Sequence, residues 1–116
     1  MVVYPLLSDA ETDRVFRALA DVTRRDIVAR VLAGKPESVS ELARRYEMSF
    51  AAVQKHVAVL EEAGLVTKEA KGRERLVSGN AERIAQARDL LVRLEELWKS
   101  RFSQIDALFE DPNRRE

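Results

Sequence analysis

Apolar residues recur at the spacing of amphipathic helices in the first third of the chain. They form two runs, within residues 15–19 and within residues 27–32. The first run predicts a helix capped by Ser8 or Asp9, because both side chains accept hydrogen bonds from backbone N–H groups at a helix start. The second run predicts a helix capped by Asp21. Two amphipathic helices are therefore expected in this region.

A short helix and a longer helix follow after a connection over residues 35–37. Ser40 is predicted to begin the short helix, whose sequence is SELARRY. Ser49 is predicted to cap the longer helix. This helix ends at about Ala63, because Gly64 favours the left-handed conformation found just past helix ends. Two helices separated by about three residues form a helix-turn-helix unit, and the second is then its recognition helix.

The pattern changes after Gly64 from a helical period to alternation. Residues 65–70 and 74–78 are short β-like segments around the sequence KGR, which predicts a hairpin with basic residues at its tip. Strand alternation places the side chains of Arg73 and Arg75 on one face of this hairpin. In a winged fold that face lies beside the recognition helix.

A long final helix is predicted from Asn80 to about Glu110, with apolar positions that repeat every seven residues. A helix of about 30 residues is about 45 Å long, which exceeds what the core of so small a domain can cover. We therefore expect its surplus apolar face to pair with a second copy of the chain. The alternative is a helix that folds back on its own domain. The interface residues predicted on this helix are Leu91, Leu94, Trp98, Phe102 and Ile105.

The predicted fold class is mainly α with a small β-hairpin, arranged as a winged helix-turn-helix with a long C-terminal dimerisation helix. The 116 residues leave no room for a second core. We expect residues 1–79 to form the DNA-binding domain and residues 80–110 to form the dimerisation helix of that same domain. Residues 111–116 are expected to be a disordered tail.

Composition excludes several classes of protein. The chain has no cysteine, which excludes disulfides, thiolate metal ligands and a cysteine nucleophile. No apolar run approaches the roughly 20 residues of a membrane span, and the first residues lack the features of a signal peptide. A cytoplasmic protein without a membrane partner is therefore expected. The sequence contains no nucleophile–base pair, phosphate-binding glycine loop or metal cluster of the kind that would indicate an enzyme.

Local charge favours nucleic-acid binding although the net charge is zero. The 20 basic and 20 acidic residues balance, whereas nucleic-acid-binding domains are often basic overall. The electrostatic field of a charge falls off over about 10 Å at ordinary salt. The charge close to the DNA, rather than the net charge of the chain, therefore determines whether phosphates are attracted. Residues 44–56 contain three basic residues and one acidic residue, and residues 68–75 contain four and two. Both positive patches coincide with segments predicted to touch DNA.

The predicted recognition helix has two distinct faces when residues advance by about 100°. One face carries Val53, Val57 and Leu60 with Phe50 close by, and we predict that this side packs on the domain. The opposite face carries Ala51, Gln54, Lys55, Ala58 and Glu62. Small residues allow close approach to the major groove, while Gln pairs well with adenine and Lys with guanine. Gln54 and Lys55 are therefore the predicted base readers; the alternative is one more amphipathic helix of a bundle.

Further DNA contacts are predicted beside the recognition helix and on the hairpin. His56 flanks the apolar stripe, and we expect it to donate to a phosphate or to neighbouring backbone. As the only histidine, it cannot assemble a metal site alone. Arg73 and Arg75 are expected to contact the minor groove or phosphates, the alternative being solvated surface charge. The full set of predicted DNA-binding residues is Arg44, Arg45, Ser49, Ala51, Gln54, Lys55, His56, Lys71, Arg73 and Arg75.

Three segments resemble the ArsR/SmtB family of winged-helix repressors. They are ALADVTRRDIV, SVSELARRYEMSFAAVQKHVAVLEEAGLV and GRERL, and the resemblance by motif spans residues 12–76. The long last helix with its central Trp98 is similar to the cysteine-free, autorepressor-type branch. The resemblance implies a homodimer paired through its first and last helices, which adds Phe16 to the predicted interface. It also implies a repressor of operons that often include its own gene.

The metal sites of this family are missing from the sequence. Ser38 and Ser40 stand where arsenic-type sensors have cysteines, and the last helix has no histidine for a zinc-type site. The resemblance therefore implies a regulator that needs no metal and no cofactor. No motif identifies a small-molecule effector.

These observations predict a dimeric, sequence-specific DNA-binding transcriptional regulator, a repressor whose partner is a double-stranded DNA operator. The alternative is a winged-helix protein-interaction module without specific DNA binding. The zero net charge and the aromatic residues of the last helix support that alternative.

Overall fold

The computed structural model describes residues 5–109, which form five helices and one three-stranded sheet. In chain order the elements are α1 (Asp9–Leu19), α2 (Val22–Ala33), β1 (Glu37–Ser38), α3 (Val39–Ala43), α4 (Phe50–Glu62), β2 (Val66–Lys71), β3 (Glu74–Gly79) and α5 (Ala81–Leu108). Helices α3 and α4 with the β2–β3 hairpin form a winged helix-turn-helix, and α5 is the long C-terminal helix. The predicted fold class is confirmed.

Four helices begin after the predicted capping residues, which are Ser8, Asp21, Ser49 and Asn80. Each of these side chains accepts a hydrogen bond from the backbone N–H three residues further on. The bond satisfies a donor that has no partner within the helix. At the other end of the recognition helix α4, Gly64 adopts a left-handed φ of 77°. This conformation favours glycine, as the sequence predicts.

The short helix α3 begins at Val39, one residue earlier than predicted, and Ser38 is its N-cap. The Ser38 hydroxyl accepts the Glu41 N–H at 3.1 Å, and the Glu41 carboxylate accepts the Ser38 N–H at 3.0 Å. This reciprocal pair is a capping box, which requires Glu or Gln three residues after the cap. Ser40 has Ala43 at that position and cannot form one. The prediction of Ser40 as the first residue of the helix is therefore wrong.

The turn between the two helices of the helix-turn-helix is longer than predicted. Helix α3 ends at Ala43 rather than continuing to Tyr46, so that residues 44–49 separate it from α4. The N–H of Arg45 donates to Leu42 and that of Tyr46 to Ala43, with N···O distances of 3.0 and 3.4 Å. Such three-residue spacings tighten a helix end and stop its continuation.

The sheet contains one more strand than the sequence predicts. Strands β2 and β3 form the predicted antiparallel hairpin, with Gly72 and Arg73 as its two-residue loop. Gly72 has a φ of 64°, as the first position of a tight hairpin turn requires. On its other edge β3 pairs with β1, where Glu37 lies opposite Val77. The predicted connection over residues 35–37 is wrong at Glu37, because a strand of two residues is too short to show alternation.

The hydrophobic core lies along one face of the recognition helix. Val53, Val57 and Leu60 of α4 are fully buried, as predicted. The other buried apolar residues are Val15, Ala18, Ile27, Val28, Val31, Leu42, Ala63, Leu65, Val66, Val77 and Ala87. Every helix contributes to this set, together with β2 and β3. The core therefore fixes α4 relative to the whole domain.

Only the first part of α5 packs on this core. Ile84 packs against it and Ala87 is buried, whereas Leu91 and the large apolar side chains after it are exposed. The 28 residues of α5 span about 42 Å at 1.5 Å per residue. The alternative in which this helix folds back on its own domain is not observed. Residues 110–116, predicted as the helix end and a disordered tail, lie outside the described residues.

None of the helices within residues 5–109 has the length and hydrophobicity needed to cross a membrane.

The capping box at Ser38 can be tested with two serine variants. We expect Ser38→Ala to lower the free energy of unfolding by about 1 kcal/mol, because the Glu41 N–H loses its acceptor. Ser40→Ala is the matched control and is expected to change stability by less than about 0.5 kcal/mol. Urea denaturation at one fixed protein concentration measures both. Equal losses in the two variants would contradict the assignment of the cap.

Candidate nucleic-acid interface

The recognition helix presents a solvent-exposed face opposite its buried stripe. The exposed positions are Ala51, Gln54, Lys55, Ala58 and Glu62, as the helical period predicts. The alanines leave room for close approach, and the amide and ammonium groups can reach beyond the helix surface. This combination suits a helix that enters the major groove of DNA.

A cleft of about 360 Å³ lies between the start of the recognition helix and the wing, the name used here for the β2–β3 hairpin. It is lined by Ser38, Val39, Ser40, Phe50, Gln54, Lys68, Arg73, Glu74 and Arg75. The fold thus brings three of the predicted DNA-binding residues together, namely Gln54, Arg73 and Arg75. Arg73 lies in the hairpin loop rather than in a strand, yet it lines the same cleft as Arg75.

Positive charge in this cleft comes mainly from the two wing arginines. Both are exposed, and neither forms an ion pair with another residue of the described range 5–109. Lys68, which the sequence did not single out, lies 3.3 Å from Glu61 through its ammonium group and is therefore compensated. The wing arginines are consequently the cations available to an anionic ligand such as a phosphate backbone.

The other predicted DNA-binding residues lie outside the cleft. Arg44, Lys55 and Lys71 are exposed to solvent but do not line it. The Arg45 guanidinium donates to the Glu37 carboxylate at 2.8 Å, so its charge is compensated. The Ser49 hydroxyl accepts the Ala52 N–H at 3.1 Å and serves the helix cap.

His56 faces the domain through one ring nitrogen. Its Nδ1 lies 3.3 Å from the Arg24 guanidinium. The same guanidinium donates to two carbonyl groups at the end of α1, those of Ala18 at 2.7 Å and Arg17 at 3.1 Å. Arg24 therefore joins α1, α2 and the recognition helix. Sequence reasoning missed this residue, because its contacts are with two backbone carbonyl groups of the preceding helix and with a side chain 32 residues away, none of which leaves a periodic pattern.

A second polar contact fixes the turn before the recognition helix. The Tyr46 hydroxyl donates to the Asp26 carboxylate at 2.6 Å, and Arg30 Nε donates to the same carboxylate at 2.9 Å. The hydrogen bond from Tyr46, followed by that from Arg30, lowers the pKa of Asp26 below its ordinary value of 3.8. Burial, and then the contact with Asp26, raise the pKa of Tyr46 to about 12. The hydroxyl therefore remains a donor at any ordinary pH.

Phe50 is placed differently from the prediction. Its side chain is 48% exposed and lines the cleft instead of packing on the domain. At 100° per residue Phe50 lies about 50° from the centre of the buried stripe, and it is the first residue of α4. The helical angle alone predicts that the Phe50 ring is buried. Because Phe50 lies at the end of the helix, however, its ring extends beyond the core.

The serines at the family's metal-binding positions do not fit a soft metal. Ser38 is 3% exposed, and its hydroxyl is the N-cap acceptor of α3. Ser40 offers a neutral hydroxyl where arsenic would need a thiolate. Within residues 5–109 no three His, Asp or Glu side chains are placed together to hold a metal ion.

Sequence comparisons identify regulators. A family model described as a helix-turn-helix domain matches residues 19–69. The uncharacterized HTH-type transcriptional regulator YuzN of Bacillus subtilis is 40% identical over 76 residues, covering 60% of this chain and 83% of that protein. The HTH-type transcriptional regulator Rv2034 of Mycobacterium tuberculosis is 47% identical over 64 residues, covering 55% of this chain and 59% of that protein. These relatives confirm that the chain is a regulator and not an enzyme.

Solved structures of transcriptional regulators superpose on this chain. An ArsR-like transcriptional regulator from Rhodococcus sp. RHA1 superposes with a TM-score of 0.78 at 31% identity, covering 88% of this chain and 95% of that chain. A homodimeric winged helix-turn-helix DNA-binding domain from Mycobacterium bovis, a possible ArsR-family regulator, has a TM-score of 0.61 at 20% identity. That alignment covers 80% of this chain and 92% of the other. The second likeness shows a shared fold.

The contact between Tyr46 and Asp26 predicts a pH-dependent loss of stability. We expect Tyr46→Phe to lower the free energy of unfolding by about 1 kcal/mol at pH 7, because a hydrogen bond to a charged, half-exposed group is lost. The native pKa of Asp26 lies below its unfolded value, so this stabilisation is present above pH 3.8 and is lost as pH falls through the native pKa. Urea denaturation of both proteins between pH 7 and pH 3 measures the difference.

Asp26→Asn and the double variant complete the comparison. The coupling free energy between Tyr46 and Asp26 should be clear at pH 7 and smaller at pH 3. A difference between wild type and Tyr46→Phe that does not change with pH would contradict the role assigned to the Asp26 carboxylate.

Proposed function

The chain belongs to the ArsR family of transcriptional regulators, and we propose that it is a homodimeric repressor that binds a specific DNA operator in the cytoplasm. The observation that carries this proposal is the cleft between the recognition helix and the wing. There Gln54, a side chain able to read a base edge, lies beside two arginines with no ion-pair partner in the described part of the chain. Metal ions and cofactors have no part in the proposed activity.

In this proposal α4 enters the major groove and the wing contacts the flanking backbone. Gln54 and Lys55 read base edges, Gln by a bidentate pair with adenine and Lys by contact with guanine. Arg73 and Arg75 neutralise phosphates or enter the minor groove, with Lys71 in a lesser role. Ser49, Ala51, Arg44, Arg45 and His56 flank these contacts. The zero net charge is compatible with such binding because only the groups near the phosphates matter at ordinary salt.

Dimerisation accounts for the exposed apolar stripe of α5. Trp98 is 65% exposed and Leu94 54% exposed in the single chain, although a contiguous apolar surface of this kind is normally covered. The Trp98 and Phe102 rings lie 6.3 Å apart and form one patch. In the proposed dimer residues 80–110 supply the interface, with Phe16 on α1, while residues 1–79 bind DNA. Two recognition helices about 34 Å apart then meet successive major grooves on one face of the duplex.

Ser38 and Ser40 support a regulator that does not sense soft metals, because neither supplies a thiolate. We propose that the operator lies upstream of the protein's own gene, as the resemblance to the autorepressor-type branch implies. Repression would then fall on the regulator's own synthesis.

Selection of bound fragments from the host genome tests the function. We expect a specific complex with a recurrent site, including one upstream of the protein's own gene, that survives competitor DNA. Retention on a heparin column with steep salt elution should accompany it. Absence of any specific complex, even at low salt, would favour the protein-interaction alternative.

Variants at the recovered site separate base contacts from phosphate contacts. Gln54→Ala and Lys55→Ala should relax base preference at particular positions, by about 1–3 kcal/mol for a good bidentate contact. Arg73→Ala should weaken binding to all DNA sequences alike. It should also reduce the slope of log affinity against log salt concentration by about one unit. Lys35→Ala removes an exposed charge outside the cleft and serves as the matched control. If the first three variants acted alike, the division between base and phosphate contacts would be wrong.

The dimer interface is tested by placing the same charge on two faces of α5. Leu94→Arg should yield a monomer in sedimentation equilibrium, because an arginine would be buried against the partner helix without a counter-charge. Operator affinity should fall by at least about tenfold, since two half-sites are no longer bound together. Glu96→Arg lies about 160° or more from Leu94 and Trp98 on the helix and should remain dimeric. A dimeric Leu94→Arg variant would place the interface elsewhere.

A further inference from the structure

Phe50 is an exposed aromatic side chain that the proposed contacts do not use. Its ring is 48% exposed, and it lines the basic cleft together with Gln54, Arg73 and Arg75. Single exposed apolar residues are common on protein surfaces and need no explanation by themselves. What distinguishes Phe50 is its location at the point where the recognition helix begins.

The position of Phe50 on α4 directs it toward base edges. In a helix-turn-helix the N-terminal residues of the recognition helix contact the bases. Phe50 is the first residue of α4, and Gln54 follows one turn later. Residues four apart lie on the same face of a helix with Cβ atoms about 5–6 Å apart. Successive base pairs are about 3.4 Å apart, so that the two side chains would reach base pairs one or two steps from each other.

The chemistry of the major groove offers one apolar group, the C5 methyl of thymine, which Phe contacts well. Resting on the proposed function, we propose that Phe50 packs on a thymine methyl group in each half-site, one or two base pairs from an adenine that Gln54 reads. Phe50 is then a specificity-determining residue that discriminates thymine from cytosine. Each half-site of the operator would then contain this thymine and, one or two base pairs away, the adenine.

The surroundings of Phe50 favour DNA over a protein partner. The centres of protein interfaces are depleted of charged groups, whereas Lys68, Arg73, Glu74 and Arg75 line the same cleft as the ring. The exposed arginines complement a polyanion. A half-exposed ring that lines a basic cleft therefore fits a base edge flanked by phosphates.

The experiment replaces single thymines of the selected operator by deoxyuridine, which removes only the C5 methyl. At one position in each half-site the wild-type affinity should fall about fourfold, the factor that corresponds to about 0.8 kcal/mol for one methyl-sized group. Phe50→Ala should bind the natural site more weakly and should not respond to the loss of that methyl. Phe50→Leu keeps an apolar side chain and should retain part of the response. Circular dichroism confirms that the variants are folded.

Two controls separate this contact from other effects. Gln54→Ala should keep the response to deoxyuridine at that thymine while losing its response to 7-deazaadenine at the neighbouring adenine, which lacks the N7 acceptor. Val59→Ala shortens another exposed apolar residue of α4, 38% exposed and outside the cleft, and should behave as wild type.

The outcomes distinguish the inference from the function on which it rests. A specific wild-type complex with no methyl-sensitive thymine, or with the same sensitivity in Phe50→Ala, would overturn the role of Phe50 and leave the proposed function standing. The absence of any specific complex would overturn both.

Discussion

Burial of one face of the recognition helix is the interaction on which the rest of the structure depends. Val53, Val57 and Leu60 are completely removed from solvent, and each contributes up to about 1.5–3 kcal/mol relative to an exposed side chain. Because α1, α2, α3 and β2 all contact α4, this burial also sets the angle at which the opposite face meets the wing. A helix held less firmly would carry the same side chains without a defined cleft.

Polar contacts hold both ends of this helix. Before its start, Tyr46 ties the turn to Asp26 of α2. Beyond its end, the Asn80 amide donates to the Gly64 carbonyl at 2.8 Å and so joins the start of α5 to the recognition helix. Glycine is favoured at position 64 by its φ of 77°, whereas a Cβ atom there would only require the flexible Arg83 side chain, 2.7 Å away at Nε, to move. These contacts fix the position of both ends of α4 and therefore of its exposed face.

Local patterns in the sequence predict most of the fold, and contacts between distant residues account for what they miss. Apolar periods and capping side chains locate α1, α2, α4 and α5, because these signals lie within a few residues of the structure they specify. The cap at Ser38 is also a local feature, because its partner Glu41 lies three residues away. Ser40 has Ala43 at that position and therefore lacks such a partner. Strand β1 gains its definition only from pairing with β3.

The candidate nucleic-acid interface likewise has features that local sequence patterns predict and features that depend on distant residues. The period of α4 correctly exposes Gln54 and Lys55, since a helix wheel needs no tertiary information. The contact of Arg24 with His56 spans 32 residues, and the exposure of Phe50 depends on where the core ends. Neither can be obtained from periodicity. The juxtaposition of the wing arginines with Gln54 follows from the winged topology as a whole.

The two halves of α5 have a consequence for how the regulator would respond to its own abundance. One continuous helix contributes Ala87 to the monomer core and leaves the stripe from Leu91 onward uncovered. In the proposed homodimer, assembly is then set by mass action, and the DNA-binding species forms in proportion to the square of the chain concentration while monomers predominate. Repression would therefore rise more steeply than in proportion to the chain concentration. Feedback on the protein's own gene would then oppose any increase in that concentration more strongly than a monomeric repressor could.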